Sequence, residues 1–143
     1  MSRSLLDINV LLALLDSDHI DHERAHQWLG RDGTDGWSSC PITENGFVRI
    51  ISQPRYPSPI PAAEAIGLLA RARVAGDHEF WPCDISLLDS AVVDPARVLG
   101  PRRVTDTYLL ALAKANGGRF ATFDRSVDLA SVPGATAADL VEV

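Results

Sequence analysis

The chain has 143 residues, of which 46% are hydrophobic and 22% charged, and this balance is typical of a single soluble globular domain over residues 1–143. The formal net charge of −6 excludes a general positive field that would attract nucleic acid. The 13 Lys and Arg residues include only one lysine, Lys114, and arginine suits bidentate phosphate contacts. No run is long enough to span a membrane, and the first residues show no long apolar run that ends in a small-residue cleavage site, so we expect a cytoplasmic protein. Cys40 and Cys83 lack partners at metal-ligand spacing and are expected to be reduced thiols.

The first half of the chain alternates short apolar runs with helical patterns. Ser4 to Leu6 predicts a strand that is closed by Asp7, and Asn9 begins an apolar helix that runs to Leu15. The elements predicted next are a helix at about Asp21–Leu29, a strand at Trp37–Cys40 and a helix at Pro41–Ile51.

The second half continues this alternation after an internal loop at Pro54–Pro61, where four prolines exclude regular helix and central strand. The elements predicted after it are a helix at Ala62–Val74, a strand at Glu79–Cys83, a helix at Ile85–Val93, a loop at Arg97–Arg103, a helix opened by Asp106, a strand at Arg119–Phe123 and a weak strand at Leu140–Val143. This order predicts an α/β fold, with a mostly parallel sheet and helices on both of its faces.

Four acidic residues follow strands or begin helices in this pattern. Asp7 and Asp124 each end a strand, whereas Glu44 and Asp106 lie in the first turn of a helix. In a parallel sheet all four positions lie at the edge where α/β proteins bind their ligands. Taken singly, each could be a helix cap, a first-turn acid or a turn residue without function. Their common edge favours a shared site.

A shared site of four carboxylates needs a compensating charge. Close pairs would repel each other by roughly a kcal/mol or more in a partly buried site. A divalent cation would remove this repulsion. Because oxygen ligands select hard ions, the sequence predicts Mg²⁺ or Mn²⁺ rather than zinc.

Four motifs in this order and spacing, LLDINVLLAL, ITENGFVRI, VTDTYLLALA and FATFD, resemble those of the PIN domain, and most closely those of VapC-type toxins. The resemblance covers Ser4 to about Asp128. It implies a three-layer α/β/α sandwich and a metal-dependent endoribonuclease that is the toxin of a toxin–antitoxin pair. The acidic site that it implies consists of Asp7, Glu44, Asp106 and Asp124, accompanied by the polar residues Asn9 and Thr105.

The chemistry of phosphodiester cleavage agrees with this set of residues. The reaction needs an activated water and a counter-charge for the phosphate oxygens, and one or two carboxylate-bound Mg²⁺ ions supply both. We expect Asp7, Asp106 and Asp124 to bind the metal directly or through water. Glu44 is expected to be a further ligand or the base that orients the water. Asp128 falls where some relatives have a further acid, and whether it joins the site stays open.

The segment HERAH, from His22 to His26, offers an alternative function. It matches the zinc-protease pattern H-E-x-x-H, with Glu23 as the general base of a zinc metallopeptidase. The five-residue pattern also occurs often by chance, and this stripe fits the half-buried side of a short amphipathic helix.

A non-enzymatic receiver-like domain is a second alternative, because it is also a doubly wound sheet with acids at strand ends. Such a site needs a lysine at the end of a late strand to pair with the phosphate. The single lysine, Lys114, falls inside a predicted helix, so the pattern favours the nuclease.

Arginines near the acids offer a path for an RNA substrate. Arg102 and Arg103 precede Asp106, and Arg125 follows Asp124. These three arginines could hold RNA phosphates beside the metal. Surface arginines are common, however, and they could equally balance the nearby acids.

Two protein partners are predicted. The resemblance to VapC-type toxins implies a cognate VapB-type antitoxin, which could inhibit by placing an arginine among the acids. The apolar patterns at Val10–Leu15, Pro41–Ile51 and Ala62–Val74 carry surplus hydrophobic surface, which predicts a groove for a partner helix, a homodimer interface or both. The alternative is that all of this surface packs in the core.

Overall fold

The computed structural model describes residues 2–143 and has a five-stranded sheet at its centre. The strands, in chain order, are β1 (Ser4–Leu6), β2 (Trp37–Ser39), β3 (His78–Phe80), β4 (Arg119–Thr122) and β5 (Leu140–Glu142). They lie across the sheet in the order β3-β2-β1-β4-β5, and every neighbouring pair is parallel. The predicted parallel sheet is confirmed, and the weak C-terminal strand is part of it.

Five α-helices accompany these strands. They are α1 (Ile8–Leu15), α2 (His22–Asp32), α3 (Pro41–Ile51), α4 (Ala62–Ala75) and α5 (Val104–Ala115). Each matches a predicted helix, and α3 agrees at both ends because Pro41 suits the first helical position, where no backbone donor is needed. No helix within residues 2–143 is long and apolar enough to cross a membrane.

The helix predicted at Ile85–Val93 is wrong, because this segment forms turns without a regular helix. Two of its side chains bind their own backbone: Ser86 Oγ accepts from Leu88 N at 3.0 Å, and Asp89 Oδ1 accepts from Ala91 N at 2.9 Å. Such local bonds compete with helix formation and favour turns. Ile85, Leu87, Val92 and Val93 of the segment still pack against the core, which explains the helix-like pattern of the sequence.

Two further segments differ from the prediction in their bounds. The strand predicted at Glu79–Cys83 lies earlier, at His78–Phe80, because Pro82 has no backbone donor for the sheet. The loop predicted at Arg97–Arg103 overlaps two short 3₁₀ turns, at Pro95–Arg97 and Pro101–Arg103. Each turn begins with a proline, whose fixed φ suits that position.

Side chains of the sheet alternate between two hydrophobic layers. On one face, Leu6 and Ala121 pack with residues of α1, α2, α3 and α4. On the other face, Leu5 and Phe120 pack with α5 and with the irregular segment after β3. Because successive strand residues point to opposite faces, this alternation buries both sides of the sheet. The predicted three-layer α/β/α sandwich is confirmed.

The direction in which the chain adds strands changes between β1 and β4. From β1 the chain moves outward through β2 and β3, and it then returns to the other side of β1 for β4 and β5. Open parallel sheets bind ligands beyond the carboxyl ends of their strands at such a switch point. Leu6 of β1 pairs with Ala121 of β4, so the residues that follow both strands meet there.

Candidate active site

Asp7 directly follows β1 and caps α1. Its Oδ1 accepts a hydrogen bond from Ile8 N at 2.7 Å, and its Oδ2 accepts one from Thr122 Oγ1 at 2.6 Å. The residue is only 7% exposed. Burial raises the pKa of Asp7, the two donors lower it, and the charge of Asp124 raises it again, with a net increase. The carboxylate is therefore fixed in place but costly to ionise.

Asp124 lies just beyond the end of β4. Its Oδ1 accepts hydrogen bonds from Ser126 N at 2.8 Å and from Ser126 Oγ at 2.6 Å, and these donors hold the pKa of Asp124 below its ordinary value. The backbone N of Asp124 donates to Thr122 Oγ1 at 3.0 Å. Because the same hydroxyl donates to Asp7, Thr122 fixes the position of both acids.

Asp106 lies in the first turn of α5 and interacts with the two acids at the strand ends. Burial, the charge of Asp7, and both the hydrogen bond and the charge of Asp124 together raise the pKa of Asp106 to about 7, and the charge of Arg103 opposes this shift. The same contact lowers the pKa of Asp124. The proton shared by this pair therefore sits on Asp106, because Ser126 already stabilises the negative charge of Asp124.

Glu44 lies at the same edge, in the first turn of α3 after β2, but its contacts differ from those of the three aspartates. Its Oε2 accepts hydrogen bonds from Ser39 Oγ at 2.6 Å and from Arg73 Nη1 at 3.1 Å. Gly46 of α3 packs against Ile8 in the first turn of α1. A Cβ at this position would lie only 2.2 Å from Ile8 Cδ1, so the two helices are in close contact here. The three aspartates thus influence one another's ionisation, whereas Glu44 forms an ion pair with Arg73.

The polar residues predicted to accompany the acids have different surroundings. Asn9 in α1 accepts a hydrogen bond through Oδ1 from Phe123 N at 3.5 Å, which links α1 to the segment after β4. Thr105 is exposed at the start of α5. Asp128 forms an ion pair with Arg97 at 3.3 Å. Asn9 thus connects two elements of the site, whereas Asp128 already has a cationic partner.

The three predicted arginines differ in how they act on the acids. Arg103 donates from Nη1 to Ser126 O, and its charge lowers the pKa of two of the aspartates. Arg102 is exposed and forms no ion pair within residues 2–143. Arg125, whose side chain is 79% exposed, pairs with Glu142 at 2.5 Å. Arg103 is therefore the arginine of this set that acts electrostatically on the site.

The acidic site has the donor chemistry that a hard divalent cation requires. Carboxylate oxygens are the ligands that Mg²⁺ and Mn²⁺ prefer. No group of three or more His, Cys, Asp or Glu side chains in the described part of the chain already has the spacing of a metal site. The three aspartates nevertheless perturb one another's ionisation, and a cation between them would offset their repulsion. In their donor chemistry and their mutual repulsion, the residues present fit such a metal.

Comparison with known proteins assigns the chain to a family. A model of the PIN domain matches residues 4–133. The chain belongs to the PIN-domain family. It is 63% identical to Ribonuclease VapC44 of Mycobacterium tuberculosis over 134 residues, which are 94% of each protein. It is 43% identical to Ribonuclease VapC38 of the same organism over 125 residues, which are 87% of this chain and 86% of VapC38. The resemblance to VapC-type PIN domains is confirmed.

Two solved structures share the PIN fold of this chain at low sequence identity. PAE2754 from Pyrobaculum aerophilum superposes with a TM-score of 0.58 at 19% identity, over 94% of this chain and 82% of its own. VapBC2 from Rickettsia felis, solved with a DNA fragment from their promoter, superposes with a TM-score of 0.57 at 10% identity, over 98% of this chain and 96% of its own. These similarities support the α/β/α architecture.

Membership in the PIN-domain family displaces both alternative functions, and the structure explains the residues that suggested them. His22 Nδ1 bonds Ala13 O at 2.8 Å and His26 Nε2 bonds Leu14 O at 2.9 Å. Both carbonyls belong to the last turn of α1, where carbonyls lack intrahelical partners, so the two histidines cap that helix. Lys114 lies inside α5, as predicted.

Four residues that hydrogen-bond to the acids were not identified from the sequence, namely Ser39, Arg73, Thr122 and Ser126. Thr122 and Ser126 have a local signal, since a threonine ends the strand and the D-R-S sequence after it favours a side-chain turn. Ser39 and Arg73 have no such signal. Ser39 contacts Glu44 across the junction between β2 and α3, and Arg73 reaches Glu44 because α4 packs against α3.

Proposed function

We propose that this PIN-domain chain is an endoribonuclease, a single domain over residues 1–143 that cleaves RNA phosphodiester bonds with a bound Mg²⁺ or Mn²⁺ ion. The observation that carries the proposal is the cluster of Asp7, Asp106 and Asp124 at the switch point of the sheet. There, burial and mutual repulsion raise the pKa of Asp106 to about 7. The relatives named ribonuclease support RNA as the substrate.

Each acid has a distinct part in this proposal. Asp7, Asp106 and Asp124 would hold the ion through carboxylate oxygens, directly or through water. Glu44 would be a further ligand or orient the attacking water. When bound, the ion supplies activation of that water and a counter-charge for the phosphate oxygens. Both donors of Ser126 bind Oδ1 of Asp124, so they leave Oδ2 free to bind the ion. This oxygen would become a ligand once the proton shared with Asp106 is lost.

Arginines beside the acids would bind the RNA backbone in this proposal. Arg103 already acts on two of the aspartates, and Arg102 is exposed on the same turn. Arg125 follows the site with a side chain that is 79% exposed. Guanidinium groups bind phosphates through paired hydrogen bonds, which suits these positions. Asn9 and Thr105 would add polar contacts next to the acids.

Cleavage of RNA by the purified protein tests the proposal. Wild type with Mg²⁺ should convert total cellular RNA into discrete fragments, and a chelator or Asp124→Ala should suppress them. Asp89→Ala is a matched control, because Asp89 is an exposed acid that caps its own turn. Intact RNA with wild type, or fragments that persist with Asp124→Ala, would contradict the proposal. Mapping the fragment ends would identify the RNA and the cleavage site.

We further propose that the chain is the toxin of a toxin–antitoxin pair, acts in the cytoplasm and is inhibited by a VapB-type antitoxin. Support comes from an apolar groove between α1, α2 and α4, with a volume of about 290 Å³. The groove is lined by Leu11, Leu14, Leu15, His26, Leu29 and Trp37, among others. Such a groove fits the apolar face of a helix. An antitoxin arginine that reached the carboxylates would compete with the cation.

A homodimer is proposed from a second apolar surface, beside the start of α5. Leu88 is 94% exposed and Val104 is 37% exposed. Together with Ile42 and Tyr108 they border a hollow of about 460 Å³. Exposed apolar surface of this kind favours association. Sedimentation should show a dimer for wild type and a shift towards monomer for Leu88→Asp, and a monomeric wild type at high concentration would contradict the proposal.

A further inference from the structure

Glu44 is held by two donors that come from different parts of the fold. Ser39, the last residue of β2, donates from Oγ to Glu44 Oε2 at 2.6 Å. Arg73, near the end of α4, donates from Nη1 to the same oxygen at 3.1 Å. Within residues 2–143, no hydrogen bond reaches Glu44 Oε1. One oxygen of the carboxylate is therefore anchored, and the other is available.

The orientation of the Ser39 hydroxyl follows from a second contact. A hydroxyl donates only once, and the proton of Ser39 goes to Glu44, so at 2.8 Å the Nε2 of His78 must donate to Ser39 Oγ. Burial and the charges of Arg73 and Arg3 together lower the pKa of His78 to about 4, so the imidazole is neutral, and the contact with Ser39 places its proton on Nε2. The ring packs edge-on against Trp37, with 4.4 Å between ring centroids. These contacts direct the Ser39 proton at Glu44.

The guanidinium of Arg73 is also fixed from two sides. It lies over the ring of Phe80, 5.2 Å from the ring centroid, while it pairs with Glu44. Because β2 and β3 pair Ser39 with Phe80, the sheet register places the hydroxyl and the aromatic ring beside the same carboxylate. The side chains of Arg73 and Glu44 are 38% and 20% exposed and border a cleft of about 240 Å³.

We propose that Arg73 and Ser39 are positioning residues for RNA cleavage: they fix Glu44 through Oε2 so that Oε1 binds the metal or orients the attacking water. This inference rests on the proposed nuclease function and on the part of Glu44 in it. Neither residue contacts the RNA in this scheme, because both act through Glu44. A carboxylate that rotates freely is less often in the productive geometry, and a misplacement of about 1 Å costs up to roughly a hundredfold in rate.

Two pairs of variants test the inference with matched controls. Arg73→Met removes the ion pair, and Arg71→Met removes the same charge from an exposed position on the same helix. Ser39→Ala removes the hydroxyl donor, and Ser38→Ala removes a buried hydroxyl that has no hydrogen-bond partner in the described part of the chain. If a buried serine variant fails to fold, the Arg73 pair still decides, because that side chain lies at the surface of the cleft.

The readouts are kcat and KM on a synthetic single-stranded RNA that wild type cleaves, Mn²⁺ affinity by calorimetry, and thermal unfolding. Arg73→Met and Ser39→Ala should each lower kcat about tenfold, within the range that misplaced groups produce, with KM little changed. Both variants should weaken Mn²⁺ binding if Oε1 binds the metal, and they should leave it unchanged if Oε1 orients the attacking water. Arg73→Lys should restore part of kcat because it keeps one charged donor. The two control variants should match wild type.

A double-mutant cycle separates this inference from the proposed function. If Arg73 acts through Glu44, Arg73→Met should cause no further loss of kcat in a Glu44→Gln background. An equal loss in both backgrounds, a higher kcat in Arg73→Met, or an effect confined to KM would overturn the inference. Wild-type kcat in Glu44→Gln itself would instead overturn the proposed role of Glu44. A loss in Glu44→Gln with none in Arg73→Met or Ser39→Ala would remove only the positioning role.

Discussion

Thr122 Oγ1 donates a hydrogen bond to Asp7 Oδ2 at 2.6 Å and so joins the ends of two neighbouring strands. Thr122 is fully buried and Asp7 nearly so, which makes this a hydrogen bond to a carboxylate that water scarcely reaches. Burial raises the pKa of Asp7, and Thr122 is the strongest influence that lowers it. Of the two donors to Asp7, the hydroxyl from β4 therefore contributes more than the backbone of Ile8 to its ability to carry a charge.

Thr122→Val should destabilise the protein more at pH 8 than at low pH. The change keeps the shape of the side chain but removes one of the two donors to a buried carboxylate and leaves Asp7 Oδ2 without a partner, which costs about 1–3 kcal/mol when the carboxylate is charged. The cost should fall at low pH, where Asp7 is protonated. Thr107→Val is the control, because the buried Thr107 hydroxyl donates to the neutral Ser131 Oγ at 3.2 Å. Urea unfolding at both pH values checks the prediction, and equal losses in the two variants would count against it.

Asp106→Asn should stabilise the metal-free protein at pH 8 and have little effect at pH 4. The pKa of Asp106 is about 7 in the folded chain, above its ordinary value. Protonated Asp106 therefore contributes stability that is complete below about pH 4 and is lost as the pH rises through 7. At pH 8 the amide should gain about 1–2 kcal/mol, because water screens part of the repulsion that it removes. Unfolding curves in chelator should show this, and a variant less stable than wild type at pH 8 would refute it.

Metal affinity should rise with pH because the cation must displace a proton from Asp106. Below pH 7 the apparent Kd for Mn²⁺ should tighten up to about tenfold per pH unit, and it should level off above pH 7. Calorimetry in two buffers of different ionisation enthalpy should detect release of about one proton at pH 6. Asp106→Asn should bind more weakly and without this pH dependence. A Kd that is flat from pH 6 to pH 8 in wild type would exclude the shared proton.

The sequence predicted the place of the acids because two strong regularities determine it. A short apolar strand ends before Asp7, another ends before Asp124, and parallel pairing brings such ends to one edge. The apolar faces of the helices likewise follow from helical spacing, which agrees with the bounds of α3 at both ends. These features depend on residues that are near each other in the chain.

Features that depend on packing could not be predicted in this way. Arg73 meets Glu44 from 29 residues away, and this contact exists only because α4 returns to the end of β2. The shift in the pKa of Asp106 depends on burial and on two distant acids. The error at Ile85–Val93 has a different cause, since the side-chain bonds of Ser86 and Asp89 to their own backbone outweigh a weak helical pattern.

His22→Ala and His26→Ala should each lower stability without affecting metal chemistry. Each variant removes a hydrogen bond to a carbonyl in the last turn of α1, which should cost about 1 kcal/mol. RNA cleavage should persist, and a zinc-selective chelator should change neither activity nor stability. Gln27→Ala is the control, because Gln27 is an exposed residue of the same helix. Tightly bound zinc that is present in wild type and lost in either histidine variant would instead support a zinc site at these residues.

Charged substitutions in the groove between α1, α2 and α4 should block the antitoxin without slowing RNA cleavage. Leu15 and Leu29 line this groove and are only partly buried, so Leu15→Asp and Leu29→Asp should leave the core intact. Burial of a leucine side chain contributes about 1.5–3 kcal/mol. Each variant should therefore weaken binding of the protein encoded by the neighbouring gene roughly tenfold to a hundredfold.

The control for the groove variants is Leu99→Asp, which places the same charge on a leucine that is 74% exposed and lies outside the groove. Calorimetric titration measures binding, and the synthetic RNA measures cleavage. In cells, the groove variants should remain toxic when the antitoxin is co-expressed, whereas wild type should be neutralised. Unchanged affinity in both groove variants would show that the antitoxin binds elsewhere on the protein. A neighbouring gene product that neither binds nor inhibits wild type would refute the antitoxin proposal itself.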